Sequence, residues 1–148
     1  MNILLTNPTF APHAIACIVL CANLLVLWTL SGATRNKLKS TPNKEDAPLF
    51  GSAVAPVDPE AIARVLRAHA NAQAIVYPFI VLGGLYVLAS GPATAGIAYF
   101  TVFCVARLLH SHCYLAAKQP GRTISFVVAL GALAVLAVHL VWLLVAAR

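Results

Sequence analysis

Four long stretches of apolar residues constrain this chain more than any other feature. They cover residues 10–30, 70–89, 95–117 and 123–147, and each reaches the roughly 20 residues that an α-helix needs to cross a bilayer. Only 9% of the 148 residues are charged and 61% are hydrophobic, whereas about a quarter of the residues in a soluble domain are charged. The pattern predicts an all-α integral membrane protein with a single four-helix transmembrane domain over residues 1–148.

The polar segments between the stretches set the expected helix boundaries. We expect helices at about 10–32, 59–89, 93–117 and 123–147, with a polar loop at about 33–58. Asp58, Pro59 and Glu60 form a typical helix start, with Asp58 as the N-cap. The first apolar stretch is too long for the core of a signal peptide, so we expect it to stay in the protein as a membrane anchor.

The basic residues predict the orientation in the membrane. The first loop carries Arg35, Lys37, Lys39 and Lys44, and the third connection carries Lys118 and Arg122. Because positive residues stay on the cytoplasmic side, both connections should be cytoplasmic and both termini should lie on the opposite side. The net charge of +6 is divided between apolar blocks, so we do not expect nucleic-acid binding. A bacterial inner membrane and an endoplasmic reticulum membrane remain equal alternatives.

Two sets of polar residues lie within the apolar stretches at helical spacing. The first is Arg64, Arg67 and Asn71, and the second is Arg107, His110 and Tyr114. In each set the positions are i, i+3 and i+7, which share one helix face. For Arg64 alone we favour the alternative that its side chain reaches the lipid headgroups.

Arg107 needs a partner, because an arginine at the centre of a membrane helix costs about 2.5–3.5 kcal/mol. All four acidic residues lie in the first loop or at the start of the second helix: Glu45, Asp46, Asp58 and Glu60. A bound anion, an inward-folded loop carboxylate or backbone carbonyls must therefore pair with Arg107. We favour a ligand-binding role for the cluster over a purely structural one.

Metal binding is not expected. His110 and His112 are two residues apart, so they point to different faces of a helix. The four cysteines lie in apolar stretches and form no CxxC pair, which excludes the common zinc motifs. His13 and His139 are single polar residues near the ends of their spans, where packing explains them.

Three segments together resemble a known family. They are RVLRAHANAQAIVYPF at 64–79, RLLHSHCYL at 107–115 and QPGR at 119–122. These segments are similar to the MAPEG family, the membrane-associated proteins in eicosanoid and glutathione metabolism, and most similar to its branch of microsomal glutathione transferase 1 and microsomal prostaglandin E synthase. The resemblance covers almost the whole chain. It implies a four-helix protomer, a homotrimer, and glutathione bound between protomers near the cytoplasmic side.

The resemblance also implies roles for individual residues. Positions that hold glutathione in the family correspond to Arg35, Arg67, Asn71, His110, Tyr114 and Arg122. Of these, Arg122 corresponds to the arginine that stabilises the thiolate. Asp46 and Thr123 correspond to an Asp and a Ser that are proposed to assist near the thiol.

The chain departs from the family at several positions. Ala63 and Ala74 replace a usual Glu, and Ala70 replaces an Arg of prostaglandin E synthases. Without an acid at 74, the glutathione ammonium lacks its expected carboxylate, and Arg107 lacks a possible partner. Arg107 then becomes a candidate for the ligand itself, and Gln73 or a loop acid could replace the missing contact.

Three functions are compatible with this resemblance. The first is a membrane-bound glutathione transferase, with possible peroxidase activity, that attacks hydrophobic electrophiles or lipid hydroperoxides. The second is a glutathione-dependent isomerase of the prostaglandin E synthase kind, and the third is a non-catalytic lipid-binding helper. Phe126 replaces a tyrosine of prostaglandin E synthases, which favours the transferase.

Overall fold

The computed structural model describes residues 6–146 and contains a bundle of four long helices in that part of the chain. The helices are α1 (Phe10–Leu38), a short α2 (Asp46–Phe50), α3 (Glu60–Leu88), α4 (Ala93–Leu115) and α5 (Gly121–Ala146). All but α2 are long and apolar enough to cross a membrane. The predicted all-α, four-helix membrane bundle is therefore confirmed.

The first helix is longer than its apolar stretch. It ends at Leu38, whereas the apolar pattern predicts an end near residue 32. Its 29 residues extend about 44 Å, so its last turns project beyond a hydrocarbon core of about 30 Å. The apolar stretch marks the part inside the membrane, whereas the helix continues until Lys39 adopts a left-handed conformation with φ 50°.

The loop after α1 has a structure that its polar sequence does not predict. Two short strands, β1 (Ser40–Thr41) and β2 (Ala53–Val54), pair in parallel, with Ser40 opposite Ala53. The N-cap role predicted for Asp58 is wrong, because Pro59 occupies that position without a side-chain cap. The Asp58 carboxylate instead accepts hydrogen bonds from Arg35 Nη1 and Nη2 at 2.5 and 2.9 Å. This ion pair joins the end of α1 to the start of α3.

The centre of the bundle is an aromatic core. Phe79 of α3 and Phe103 of α4 are fully buried and stack with ring centroids 4.2 Å apart. Phe100 meets Phe79 edge to face at 5.9 Å. His13 of α1 packs against Gly83, where an added Cβ would lie 2.5 Å from the imidazole ring. The close approach of α1 and α3 therefore depends on the glycine.

The last helix begins earlier than predicted and positions two candidate site residues. It starts at Gly121 and not near residue 123, so Arg122 and Thr123 lie in its first turn. We call the end of the bundle where α1 and α4 finish and α3 and α5 start the basic end, because it carries the predicted cytoplasmic connections. Ala147, the predicted end of the last helix, and Arg148 lie outside the described residues.

Candidate functional site

A small cleft opens between α3, α4 and α5 near the basic end. It has a volume of about 270 Å³ and is lined by Asn71, His110, Tyr114, Arg122, Thr123 and Phe126. All of these except Phe126 are candidate site residues from the sequence. Three helices thus contribute to one site.

His110 and Tyr114 form the α4 wall of the cleft. They are one helical turn apart, and their ring centroids are 5.6 Å apart. His110 is 3% exposed, and the centroid of the Phe126 ring also lies 5.9 Å from that of the imidazole. Packing between two aromatic rings restricts the imidazole orientation, so the polar edge of His110 is held in place.

Arg122 is fixed by two neighbours. Its guanidinium carbon lies 5.0 Å from the centroid of the Tyr114 ring, a cation–π distance. The Gln119 side-chain amide can be placed in two orientations, and only one of them pairs both its oxygen and its nitrogen correctly. In that orientation the oxygen accepts hydrogen bonds from Arg122 Nη2 at 2.8 Å and from Arg122 Nε at 3.2 Å. In that orientation its nitrogen donates to Thr123 Oγ1 at 3.1 Å, which leaves the Thr123 proton available to a ligand.

Arg107 lies behind the cleft and does not line it. The residue is fully buried, and its Nη2 donates to the backbone oxygen and to Oδ1 of Asn71 at 3.2 and 3.0 Å. Its Nε and Nη1 have no partner among residues 6–146. The sequence leaves three kinds of partner for Arg107: a bound anion, a loop carboxylate or a backbone carbonyl. The described residues supply the backbone carbonyl, and the side-chain oxygen of Asn71 adds a second acceptor.

Arg35 and Asp46 line a second cavity, in the loop beyond α1. This cavity has a volume of about 500 Å³ and also contains Ser40 and Phe50. Arg35 is occupied by its ion pair with Asp58, and Asp46 accepts a hydrogen bond from Asn43 at 2.9 Å. Within one chain, neither residue lines the cleft between α3, α4 and α5.

Arg67 and Gln73 also lie outside the wall of the cleft. The Arg67 side chain is 51% exposed and contacts Glu60 at 2.8 Å, and Arg64 contacts the same Glu60 oxygen at 3.2 Å. Gln73 donates to the Tyr77 hydroxyl at 2.9 Å. Of the first polar set, only Asn71 lines the cleft, whereas the Arg67 side chain hydrogen-bonds Tyr114, one of the lining residues.

Sequence reasoning assigned no role to Gln119. Gln119 belongs to the QPGR motif, but a Gln before a proline is typical of a turn and does not by itself indicate a functional role. The available signal was its position, three residues before Arg122 and four before Thr123, which brings all three together where α5 starts.

The cleft is suited to an anion. Arg122, the Asn71 amide and the Thr123 hydroxyl can all donate hydrogen bonds, and no carboxylate lines the wall. The N-terminal end of α5 adds a partial positive charge. Among the described residues, no group of three His, Cys, Asp or Glu side chains could hold a metal ion.

Comparison with known proteins supports the resemblance seen in the motifs. The MAPEG family model matches residues 13–142, a range that includes every residue of the cleft. Prostaglandin E synthase of Equus caballus is 31% identical over 136 residues, which cover 88% of this chain and 89% of the relative. Microsomal glutathione S-transferase 1 of Homo sapiens is 28% identical over 130 residues, or 84% of each chain. The chain is therefore an integral multi-pass membrane protein that belongs to the MAPEG family.

Proposed function

We propose that this protein is a membrane-bound glutathione transferase that activates glutathione as a thiolate. The observation that carries the proposal is the position of Arg122 and Thr123 in one cleft with Asn71, His110 and Tyr114. Glutathione has two carboxylates and one ammonium, so its thiolate form has a net charge of −2. A cleft with an arginine and without an acid favours that form. Two of the relatives are also named microsomal glutathione S-transferase 1.

The role proposed for Arg122 is to lower the pKa of the bound thiol. A thiol with a pKa of about 8.5 is roughly 3% ionised at pH 7. A charge-assisted hydrogen bond of about 1.5–3 kcal/mol lowers the pKa by about one to two units, at 1.36 kcal/mol per unit. Because nucleophilicity falls with pKa at a slope of about 0.4–0.5, the net gain from ionisation is several-fold. The remaining acceleration comes from holding the sulfur beside the electrophile.

Thr123 and Asp46 have supporting roles in this proposal. Thr123 accepts a hydrogen bond from Gln119, so its own proton can point to the sulfur. Asp46 lies in the loop cavity and would reach a cleft only in a neighbouring protomer. Arg35 shares that cavity, so both residues would complete the site from a second copy of the chain.

We propose a homotrimer with glutathione bound between protomers. A cleft of about 270 Å³ is smaller than the roughly 300–1,000 Å³ typical of ligand sites, so one chain does not enclose a tripeptide. Native mass spectrometry in detergent should show three chains. A monomer with full activity would contradict the shared site.

The proposed orientation places the basic end in the cytoplasm, where glutathione is available. The hydrophobic substrate would enter from the bilayer. To test this, the native cysteines are replaced, and Lys44→Cys and Ser90→Cys are labelled with a membrane-impermeant reagent. Both positions are exposed and should label from opposite sides of the membrane. Labelling from the same side would contradict the orientation.

An isomerase is the second candidate, because several relatives are named prostaglandin E synthase, and that of Rattus norvegicus is 33% identical to this chain over 132 residues. The two activities differ in the fate of the thiol. Conjugation joins the thiolate to an electrophile and releases a leaving group. Peroxide reduction converts two glutathiones and a hydroperoxide into a disulfide, an alcohol and water. Isomerisation regenerates the thiol and consumes none.

The deciding experiment measures glutathione consumption by the purified protein. The substrates are a small aromatic halide, a lipid hydroperoxide and a cyclic fatty-acid endoperoxide. We expect consumption with at least one of the first two, and a several-fold lower rate of consumption in Arg122→Ala. Lys118→Ala is the matched control, because it removes the other positive charge of the same turn at an exposed position. Thiol-dependent conversion of the endoperoxide without consumption would replace the transferase with the isomerase.

A further inference from the structure

No acidic side chain lies in the wall of the cleft that one chain forms. The chain has four acidic residues, and none lines the wall. Each lies elsewhere: Asp58 pairs with Arg35, Glu60 pairs with Arg64 and Arg67, Asp46 accepts from Asn43, and Glu45 is exposed. A ligand ammonium in this cleft therefore meets no carboxylate of the same chain. The Asp46 that a neighbouring protomer would contribute acts, in the proposed function, beside the thiol and not at the ammonium.

Positive charge, in contrast, is present both in the wall and behind it. Arg122 lines the cleft. Arg107 is fully buried behind Asn71, and its Nε and Nη1 have no partner in the described part of the chain. Because charges interact strongly in an environment of low dielectric constant, both arginines disfavour a second cation and favour an anion.

The orientation of Asn71 adds a directional argument. Its Oδ1 accepts a hydrogen bond from Arg107 Nη2 at 3.0 Å, so the oxygen of the amide faces Arg107. The amino group is the end that remains for a ligand. An N–H donor can bind a carboxylate oxygen but cannot accept a hydrogen bond from an ammonium. Asn71 thus contributes to the selection of an anion.

On the basis of the proposed function, we propose that the cleft recognises its thiol by the carboxylates alone and does not require a free amine. The substrate class is then thiol peptides with an acidic group on each side of the cysteine, whether or not they carry an ammonium. Arg107 is a positioning residue in this account, because it acts through Asn71.

Two analogues of glutathione separate the amine from the carboxylate. Glutaryl-cysteinylglycine lacks only the amine, and 4-aminobutyryl-cysteinylglycine lacks only the α-carboxylate of the first residue. Titration calorimetry in detergent compares the Kd of each analogue with that of glutathione. We expect the glutaryl compound to bind within about threefold of glutathione and the aminobutyryl compound to bind at least tenfold more weakly. These ratios are measured on the unaltered protein, so they do not depend on the folding of a variant.

Substitution at Ala74 provides a second test. Ala74 is exposed on α3, three residues after Asn71. Ala74→Glu should introduce a preference for glutathione over the glutaryl compound of about fivefold or more. Ala74→Gln is the uncharged control and should leave the two affinities within about threefold of each other.

The outcomes separate this inference from the proposed function. If glutathione binds and the glutaryl compound binds tenfold more weakly, another group holds the ammonium and the inference is wrong, while the transferase proposal stands. Equal affinity for the two analogues would also overturn it, since the carboxylate would then not be recognised. If glutathione itself does not bind, both the proposed function and the inference fail.

Discussion

The two ends of the bundle bury polar groups in different ways. At the end opposite the basic end, polar side chains pair with one another or with the backbone: the Tyr99 hydroxyl lies 3.0 Å from His139 Nδ1, and Tyr86 donates to the Pro92 backbone oxygen at 3.1 Å. At the basic end, Ser40 Oγ and two nitrogens of Arg107 are buried without a partner among the described residues. One end satisfies its own hydrogen bonds, whereas the other leaves donors available.

This difference separates a region of the bundle that stabilises the fold from a region whose polar groups are available to bind a ligand. A buried polar group without a partner costs free energy, so a fold that retains several at one end has a reason other than stability. The aromatic core around Phe79 and Phe103 provides that stability. Substitutions in the two regions should therefore affect different measured quantities.

The largest effect on folding is expected for Phe103→Ala. Phe103 is fully buried and stacked on Phe79, and truncation of a buried Phe costs about 3–5 kcal/mol through the cavity and lost contacts. Unfolding in a detergent titration, followed by circular dichroism, should show that the free energy of unfolding decreases by an amount near the lower end of this range. The Kd for glutathione of the folded fraction should not change. A large change in Kd with unchanged stability would show that the two regions are not separable.

Arg122→Ala should have the largest effect on activity. The variant loses the net advantage of ionisation, which is several-fold once the lower nucleophilicity of the more acidic thiol is counted, so kcat at pH 7 should fall several-fold. Raising the pH should recover part of the loss, because hydroxide then ionises the thiol. Lys118→Ala should retain near-normal turnover. An equal loss at every pH would make Arg122 a residue that only positions the substrate.

Arg107→Leu should weaken binding without destabilising the fold. The variant removes a buried cation and its bonds to Asn71, and replacement of buried charge by apolar groups is often neutral or stabilising. We expect a glutathione Kd about five- to tenfold higher and an unfolding free energy that is unchanged or raised. Arg107→Lys retains the charge, so its glutathione Kd should lie between those of the unaltered protein and of Arg107→Leu. Substantial unfolding of Arg107→Leu would assign the residue to structure.

Gln119→Ala should have the smallest of these effects. Gln119 contacts Arg122 and Thr123 but is exposed, so the net loss lies at the lower end of about 0.5–1.5 kcal/mol. We expect kcat to fall about threefold with little change in KM. Gln119→Glu retains an oxygen for Arg122 but loses the N–H to Thr123, so it separates the two contacts. A rise in KM alone would mean that Gln119 contacts the substrate.

The sequence predicts the bundle well because crossing a membrane requires long apolar helices. It predicts the cleft less completely. The spacing of Arg107, His110 and Tyr114 correctly places them on one side of α4, yet only His110 and Tyr114 line the cleft. The reason is that Asn71, on another helix, occupies the space in front of Arg107, and helical spacing carries no information about a neighbouring helix.

The loop was the least predictable part. The pairing of Ser40 with Ala53 and the ion pair of Arg35 with Asp58 join residues that are distant in the chain. Neither contact produces a periodic pattern. Asp58 before Pro59 is a typical helix cap by local preference, and the tertiary ion pair overrides that preference.

The pKa of bound glutathione tests the central claim most directly. Thiolate absorbance in the ultraviolet, recorded while the pH is raised, gives the apparent pKa of the thiol on the protein. In the unaltered protein we expect a value about one to two units below the free value of about 8.5, and in Arg122→Ala a value close to the free one. Lys118→Ala should match the unaltered protein. The same thiol pKa with and without Arg122 would contradict its role in forming the thiolate.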